Sequence, residues 1–346
     1  MQDRQTDIFD FQKHEDKLKT FKDHLSSLNE IIKWETFLPI LEAAFKKERK
    51  SEGGRKRFDL ILMLKVLILQ NQYNLSDEQT EYQIYDRSSF RKFLGLAVGE
   101  KIPDAKTIWL FRNDLANKEA IEKLFEHFGE QLSRAGYRAQ KGQAIDASMI
   151  PIPRQRNSRE ENAQIKAGEV PETWQENVNK LEQKDVDARW TKKNGQSYYG
   201  YKNHIDIDVK HKLIRKYAVT DASVHDSQVM NELLDPNNTS AEVYGDSAYR
   251  SKEQERELTE AGYRSKIHHK GKRNKPLSEH KQKVNKNRSK IRAKVEHVFG
   301  NQMMMMGGKM MRCIGKIRAT AQIGLRNLVY NMNRLVFLSK LKAKTT

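Results

Sequence analysis

Three acidic residues lie in surroundings where an uncompensated negative charge is costly. Asp146 is in the middle of the apolar, strand-like run QAIDASMI, Asp246 ends the apolar run VYGD, and Glu296 belongs to the helix-like segment KVEHVF. A carboxylate inside an apolar strand costs on the order of several kcal/mol unless a cation or a hydrogen-bond network compensates it. Three such carboxylates, in the order strand, strand and helix, indicate a site for divalent metal ions.

Oxygen ligands of this kind suit hard divalent cations. Two such ions about 3.5–4 Å apart can activate a nucleophile and stabilise the leaving oxygen when a phosphodiester bond is cut. Mg²⁺ fits this chemistry because it retains several water molecules and takes substrate phosphate oxygens as ligands. We therefore expect Asp146, Asp246 and Glu296 to bind two Mg²⁺ ions, or two Mn²⁺ ions, although they are far apart in the chain.

The segments between these residues predict a mixed α/β core. Two alternating strands, Tyr198 to Lys210 and Lys212 to Asp221, follow the strand of Asp146 and are joined by a hairpin turn. A short helix, the strand that ends at Asp246, another helix and a final strand come next, and a long helix then carries Glu296. This is the element order of an RNase H-like fold, in which a mixed sheet presents two Asp residues on neighbouring strands and a helix supplies a third carboxylate.

The part of the chain before this core predicts a small all-α domain. The segment 58–72 is apolar nearly all round, which predicts a central helix, and Ser76 with Gln79 forms a capping box that opens the next helix. Several short helices with tight turns are compatible with a helix-turn-helix-like DNA module, but also with a bundle that does not touch DNA. We predict a polar arm over 1–28, a helical domain for DNA binding or dimerisation over 29–138, the RNase H-like catalytic domain over 139–306, and a C-terminal helical segment over 307–346.

Inside the catalytic domain, residues 154–196 form a polar insert rich in Glu, Gln, Asn, Lys and Arg. Because it has few aliphatic residues, the insert cannot bury much apolar area, so we expect a loop that is mobile without DNA. The insert contains Trp174 and Trp190. Their indoles can either stack on bases or pack over the edge of the sheet.

The basic residues are concentrated at the end of the chain. The whole chain of 346 residues has a formal net charge of +18. From Arg264 to Thr346 there are 22 Lys and Arg against 2 Asp and Glu, whereas the residues before Arg264 hold 42 against 44. Such asymmetry favours a nucleic-acid partner over a solvated basic tail. The lack of a separate basic amphipathic helix at a terminus argues against a membrane surface.

The long predicted helix carries most of the cations that we expect at the DNA. Lys286, Lys290 and Lys294 share the face opposite to an apolar stripe, and no acidic residue stands three or four positions from any of them within residues 282–298. Arg292 lies on the flank of that stripe. Lys202, on the second predicted strand, either neutralises a phosphate or is simply exposed to solvent. The predicted DNA-binding residues are Lys202, Lys286, Lys290, Arg292 and Lys294.

Other features of the sequence exclude several classes of protein. Cys313 is the single cysteine, so no disulfide framework exists and the cytosol is the simplest compartment. The N-terminus is polar and acidic, unlike a signal peptide. The longest apolar run, Leu60 to Leu69, contains Lys65 and is far too short to span a bilayer. We expect a cytoplasmic protein without a membrane partner.

Taken together, these segments resemble the DDE transposases of bacterial insertion sequences, and most closely insertion-sequence family five within the larger insertion-sequence-four-like group. The similar stretches are PDAKTIWLFRNDL, QAIDASMIPIPRQ, YYGYKNHIDID, VTDASVHDS, VYGDSAY, RAKVEHVFG and IRATAQIGLRNLVYNMNRL. They cover roughly residues 35–340. The tyrosine-arginine-glutamate-lysine signature of the family is met only in part, because Arg292 stands four residues before Glu296 but Ser289 and Met303 occupy the tyrosine and lysine positions.

The resemblance implies that Asp146, Asp246 and Glu296 are the metal-binding catalytic triad. It implies a bacterial transposase, acting as a homodimer at the nucleoid, that binds the terminal inverted repeats of its insertion sequence. Such an enzyme cuts the DNA with metal-activated water and joins the freed 3′-hydroxyl to target DNA. Two alternatives stay open, a stand-alone nuclease of the RNase H superfamily and a catalytically silent DNA-binding protein descended from a transposase. The helical N-terminal domain and the basic C-terminal quarter argue against the first, and the intact carboxylates argue against the second.

Overall fold

The computed structural model describes residues 23–46, 57–97, 99–193, 195–271, 276–307 and 310–345, together with a few isolated positions before residue 23. Most of the predicted arm over 1–28 therefore lies outside the described residues. Among the residues that are described, no helix has both the length and the apolar character needed to cross a membrane.

Helices form the part of the described chain that precedes the sheet. They are α1 (His24–Ile31), α2 (Leu38–Phe45), α3 (Leu60–Tyr73), α4 (Asp77–Asp86), α5 (Ser88–Leu94), α6 (Ala105–Asn117) and α7 (Ala120–Arg134). As the sequence predicts, α3 is buried nearly all round. Asp59 caps it by accepting a hydrogen bond from the N–H of Leu62 at 2.7 Å. Ser76 caps α4 in the same way, since it accepts from the N–H of Gln79 at 3.1 Å.

Six strands of the described residues form one mixed sheet. They are β1 (Gln143–Pro151), β2 (Arg189–Lys193), β3 (Gln196–Asp208), β4 (Ile214–Asp221), β5 (Glu242–Tyr244) and β6 (Arg264–Ser265). The strand order is β2–β3–β1–β5–β6, and β4 also pairs with β3. Strand β1 pairs antiparallel with β3 and parallel with β5, and β5 pairs parallel with β6. The fold is therefore α/β with the RNase H-like sheet that the sequence predicts: three antiparallel strands, β4, β3 and β1, continue into two parallel ones.

The prediction of a loop over 154–196 is wrong for much of its length, because helices and a strand form there. The helices are α8 (Arg159–Ala167), α9 (Glu172–Gln175) and α10 (Val178–Glu182), and the strand is β2. Trp174 is fully buried, and its indole N–H donates to Glu161 at 2.6 Å. The ammonium groups of Lys180 and Lys184 lie over the same ring. One large buried side chain with charged neighbours thus replaces the aliphatic core that this segment lacks. The mobility of the segment without DNA stays a prediction.

The last helices are α11 (Met230–Leu233), α12 (Lys252–Glu260), α13 (Glu279–Met305) and α14 (Lys316–Thr345). Helix α13 packs on β1 and β5, whereas α14 packs on β4, α3, α6 and α7. One hydrophobic core therefore runs from the N-terminal helices through one face of the sheet to α14. The opposite face packs against α11 and α12 in a second core. The predicted domain boundaries at 138/139 and 306/307 fall between elements, whereas the one at 28/29 falls inside α1. The first core is continuous across the boundaries after residues 138 and 306.

Buried amide side chains fix α14 to the sheet and to α13. Asn327 of α14 exchanges two hydrogen bonds with Asn203 of β3, at 2.9 and 3.1 Å, and accepts one from Gln302 of α13 at 2.9 Å. Asn331 bonds to both backbone groups of Ile214 at the start of β4. Because a buried amide loses stability when its partners are lost, these contacts hold both helices at a fixed depth on the sheet.

Candidate active site

The two aspartates reach the same edge of the sheet because of the strand register. In the parallel pair β1–β5, Ala144 lies opposite Tyr244. Side chains two residues apart point to the same face of a strand. Asp146 and Asp246, each two residues after this pair, therefore lie next to each other on one face. Asp146 is still inside β1, whereas Asp246 comes after the end of β5 and caps the short 3-10 helix Ser247–Tyr249.

Glu296 comes from α13, which packs across β1 and β5. Val295 and Val298 are fully buried against the sheet, and successive residues of an α-helix are about 100° apart, so Glu296 lies on the flank beside them. The side chain of Glu296 is 50% exposed, compared with 44% for Asp246 and 15% for Asp146. Asp146 therefore lies at the bottom of the site.

The guanidinium of Arg292 joins the three carboxylates. Its Nη1 lies 3.5 Å from Oδ2 of Asp146 and 3.7 Å from Oδ2 of Asp246. Its Nη2 contacts Oε1 of Glu296, which is one turn further along α13. The three carboxylates thus surround one point, although 100 and 50 positions separate them in the chain. Their role as metal ligands stays a prediction.

The charges of the site follow from burial and from these contacts. Burial raises the pKa of Asp146 to about 6, against a backbone hydrogen bond and the positive charges of Arg292 and Lys193, which lower it. The pKa of Asp246 is lowered instead: partial burial opposes ionisation, but the N–H of Ala248 and the charge of Arg292 outweigh it. Two neighbouring acids with pKa values moved in opposite directions share the field of one arginine.

The donor chemistry of the site fits hard divalent cations, since it consists of carboxylate oxygens only. Among the described residues, however, no group of three or more His, Cys, Asp or Glu side chains is arranged so as to hold a metal ion. The carboxylates are arranged around the guanidinium of Arg292 instead. Their oxygen atoms are of the kind that suits metal ions, whereas their arrangement in this structure suits the guanidinium.

Residues 137–332 match a family model described as Transposase DDE domain, and this match covers more than half of the chain. The chain belongs to that family. Residues 12–114 of the transposase also match a model described as Transposase domain (DUF772). Among solved structures, it is similar to the piggyBac transposase in a synaptic complex with hairpin DNA. That likeness has a TM-score of 0.45 and 12% sequence identity, and it covers 94% of this chain and 74% of the piggyBac chain.

The structure of the transposase contradicts the prediction that Lys202 contacts DNA. Its side chain is 7% exposed, and Nζ donates to the carboxylate of Asp226 at 2.8 Å and to the carbonyl of Val224 at 2.6 Å. Lys202 lies opposite Met149 of β1. Residues an odd number apart point to opposite faces of a strand, so Lys202 is on the other side of the sheet from Asp146. Lys202 binds the segment that follows β4, and its ammonium group is too buried to contact a phosphate.

Of the three lysines predicted to face DNA from α13, only two are exposed. Lys286 and Lys290 are exposed, and their contact with DNA stays a prediction. Lys294 is partly buried and donates to the carbonyl of Val209 at 2.9 Å, and burial lowers its pKa. Arg292 faces the carboxylates and not the surrounding solvent. The periodicity of a helix gives the relative directions of these side chains, but the neighbouring strands decide which of them reach solvent.

One charged residue near the site was not singled out in the sequence. Lys193 ends β2, at the turn toward β3, and its positive charge lowers the pKa of Asp146. The available signal is the basic, glycine-containing turn KKNG between two strand-like runs. Trp190 of the same strand is 44% exposed and has the guanidinium of Arg154 over its ring, so of the two tryptophans in the insert only Trp174 is a core residue.

Proposed function

We propose that this transposase cuts and joins DNA at the site formed by Asp146, Asp246 and Glu296. The observation that carries this proposal is the placement of three carboxylates, from two strands and one helix, around a single guanidinium. A buried acid that only stabilises the fold needs its own partner. A two-metal phosphodiester reaction needs several carboxylates that converge, and this is the arrangement found.

Asp146, Asp246 and Glu296 would together hold two Mg²⁺ or Mn²⁺ ions. When bound, such ions activate a water or a 3′-hydroxyl and stabilise the leaving oxygen of an in-line displacement. Backbone groups of the chain position the two aspartates: the N–H of Ala147 donates to Asp146 at 2.9 Å, and the N–H of Ala248 donates to Asp246 at 3.2 Å. The burial of Asp146 keeps bulk water away from the deepest carboxylate.

We infer that the DNA substrate is the pair of terminal inverted repeats of an insertion sequence of family five, and that two copies of the chain act together in the bacterial cytoplasm, at the nucleoid. Lys286 and Lys290 are exposed on the helix that carries Glu296, so a duplex held there would have its backbone close to the carboxylates. The exposed aromatic side chains of Tyr82 on α4 and Trp109 on α6 offer a second surface for DNA or for the partner copy.

A strand-transfer assay with Mg²⁺ and a short duplex that carries the terminal repeat tests the proposal. Inverted repeats in the DNA on both sides of the reading frame supply the duplex. Joined products are expected, whereas cut but unjoined DNA would support a stand-alone nuclease. Binding without either product would support a catalytically silent DNA-binding protein. Asp146→Asn is the matched control, because it keeps the shape of the side chain and removes its charge.

A further inference from the structure

Arg292 is the cation that the site already contains. Its side chain is 21% exposed, and its two terminal nitrogens contact carboxylate oxygens of Asp146, Asp246 and Glu296. Its Nε is buried and has no hydrogen-bond partner among the described residues. A guanidinium that is always protonated neutralises part of the repulsion between three acids, but at the cost of one unsatisfied N–H.

We propose that Arg292 is a built-in placeholder for the metal ions, one that DNA must draw out before the ions can bind. The inference rests on the proposed function, since it takes the three carboxylates as metal ligands. The oxygens that face Arg292 are Oδ2 of both aspartates and Oε1 of Glu296. Mg²⁺ coordinates oxygens at about 2.0–2.1 Å, closer than the 3.5 and 3.7 Å of Arg292 Nη1. An ion on these oxygens and the guanidinium would compete for one space and repel each other as like charges.

The DNA backbone is a suitable alternative partner for Arg292. The guanidinium fork matches two oxygens of a phosphate and forms strong charge-assisted hydrogen bonds with them. Arg292 lies on the same helix as the exposed Lys286 and Lys290, and its own side chain is 21% exposed beside the half-exposed Glu296, so a phosphate of a bound duplex can reach it from the open side of the site. A contact between Arg292 and a phosphate releases the carboxylates. DNA and metal ions then bind cooperatively, and by linkage each strengthens the binding of the other by the same factor.

Mn²⁺ binding, followed by the electron paramagnetic resonance signal of the free ion, tests the placeholder without any reaction. In the full-length protein without DNA, Arg292→Ala is expected to bind Mn²⁺ at least about tenfold more tightly than the wild type, a difference of about 1.4 kcal/mol. The matched control is Arg256→Ala. Arg256 also pairs with a glutamate four residues further along its helix, Glu260, but away from the site, so its removal leaves Mn²⁺ affinity unchanged. Equal or weaker Mn²⁺ binding by Arg292→Ala overturns the proposal.

The coupling to DNA is tested by repeating the titration with a saturating end duplex. The wild type is expected to gain about tenfold or more in Mn²⁺ affinity, after subtraction of the ions that the duplex binds alone, whereas Arg292→Ala gains little because its carboxylates are already free. A wild type that gains nothing from the duplex contradicts the release of Arg292 by DNA. If Arg292→Ala does not fold, Arg292→Lys replaces it. A compact ammonium cannot contact all three carboxylates at once, so Mn²⁺ affinity should again exceed that of the wild type, and an affinity equal to that of the wild type overturns the proposal.

Asp146→Asn separates this inference from the proposed function. If Asp146→Asn binds Mn²⁺ as tightly as the wild type does, Asp146 is not a metal ligand, and the proposed function fails together with the placeholder. If Asp146→Asn weakens Mn²⁺ binding but Arg292→Ala does not strengthen it, the metal site stands and only the placeholder is wrong.

Discussion

Two carboxylate sites of the transposase are compensated in opposite ways. Asp185, between α10 and β2, is fully buried. Its Oδ1 accepts hydrogen bonds from the N–H groups of Asp187 and Ala188, both at 2.9 Å, and from the hydroxyl of Tyr201 at 2.8 Å. Its Oδ2 accepts from the N–H of Gly315 at 2.9 Å. All of these donors are neutral, and most of them belong to the backbone.

The candidate active site depends on a charged side chain instead. Asp146 accepts the backbone N–H of Ala147 and Asp246 that of Ala248, and both aspartates share Arg292 with Glu296. A backbone donor is part of the fold and cannot leave without unfolding, whereas an arginine side chain can rotate away. Asp185 is thus satisfied by fixed neutral donors, whereas the three carboxylates of the candidate active site share a charged group that can be removed.

The largest effect that would test this comparison is expected from Asp146→Asn. Cleavage and joining should fall by about a thousandfold or more, since a catalytic group is lost, while the thermal midpoint and the affinity for end DNA change little. Under the proposed function, the substitution removes a metal ligand and not a phosphate contact. Melting curves, end-binding titrations and the strand-transfer assay on one preparation check it. Loss of folding together with DNA binding would instead make Asp146 a structural residue like Asp185.

Asp185→Ala should show the reverse pattern. It leaves the hydroxyl of Tyr201 and the N–H of Gly315 without a partner, so unfolding should become easier by about 3 kcal/mol. The matched control is Asp187→Ala, whose carboxylate accepts the N–H of Lys316 at 2.8 Å on a more exposed site, with an expected loss of about 1 kcal/mol. Urea unfolding measures both variants. If Asp185→Ala is as stable as the wild type, fixed neutral donors are not what marks a structural carboxylate.

Asp206 of β3 is a third case, because it is fully buried and neither of its oxygens has a hydrogen-bond partner among the described residues. Burial, together with Asp235 and Asp208, raises its pKa well above the usual value. The folded state therefore holds this proton more tightly than the unfolded state, and the contribution to stability is lost as the pH rises from about 3.9, the unfolded pKa, through the folded pKa.

Asp206→Asn removes this pH dependence, because a carboxamide does not titrate. We expect it to stabilise the fold by about 1 kcal/mol or more at pH 7, where ionisation of the acid is costly, and to change little near pH 4. Asp208→Asn is the matched control on the same face of β3 and should destabilise at pH 7, since Asp208 pairs with Arg215 at 2.7 Å. Urea unfolding at both pH values checks the pair. Equal effects of Asp206→Asn at pH 4 and pH 7 would contradict the assignment.

The smallest effects concern the cations that face solvent. Lys286→Ala and Lys290→Ala should each lower the salt dependence of duplex binding by about one unit of slope. They should weaken the binding of end and unrelated duplexes by similar factors, because phosphate contacts carry no sequence information. Lys202→Ala is the control and should leave the slope unchanged, since Lys202 is buried against Asp226. Titrations at several salt concentrations measure the slopes. Unchanged slopes for both exposed lysines would mean that they are merely solvated.

The sequence by itself determined the order of the elements of the sheet and its helices outside the insert 154–196, and the identity of the three converging carboxylates. Both are local signals: alternating apolar residues predict the strands around Asp146, and the apolar stripe of α13 predicts the flank on which Glu296 lies. The capping of α4 by Ser76 and the all-round burial of α3 were predictable for the same reason. A cap or a periodic face depends on residues only a few positions apart, so it can be recognised without knowing the neighbouring elements.

Only the tertiary structure decided which polar residues meet. The register of β3 against β1 turned Lys202 to Asp226 on the face opposite Asp146, and the packing of α13 turned Arg292 toward the carboxylates. The polar insert forms helices around the buried Trp174, whose partners Glu161 and Lys180 come from other helices of the segment. Periodicity gives the relative directions of side chains within one element, but what each side chain finds there depends on long-range packing that the local pattern does not contain.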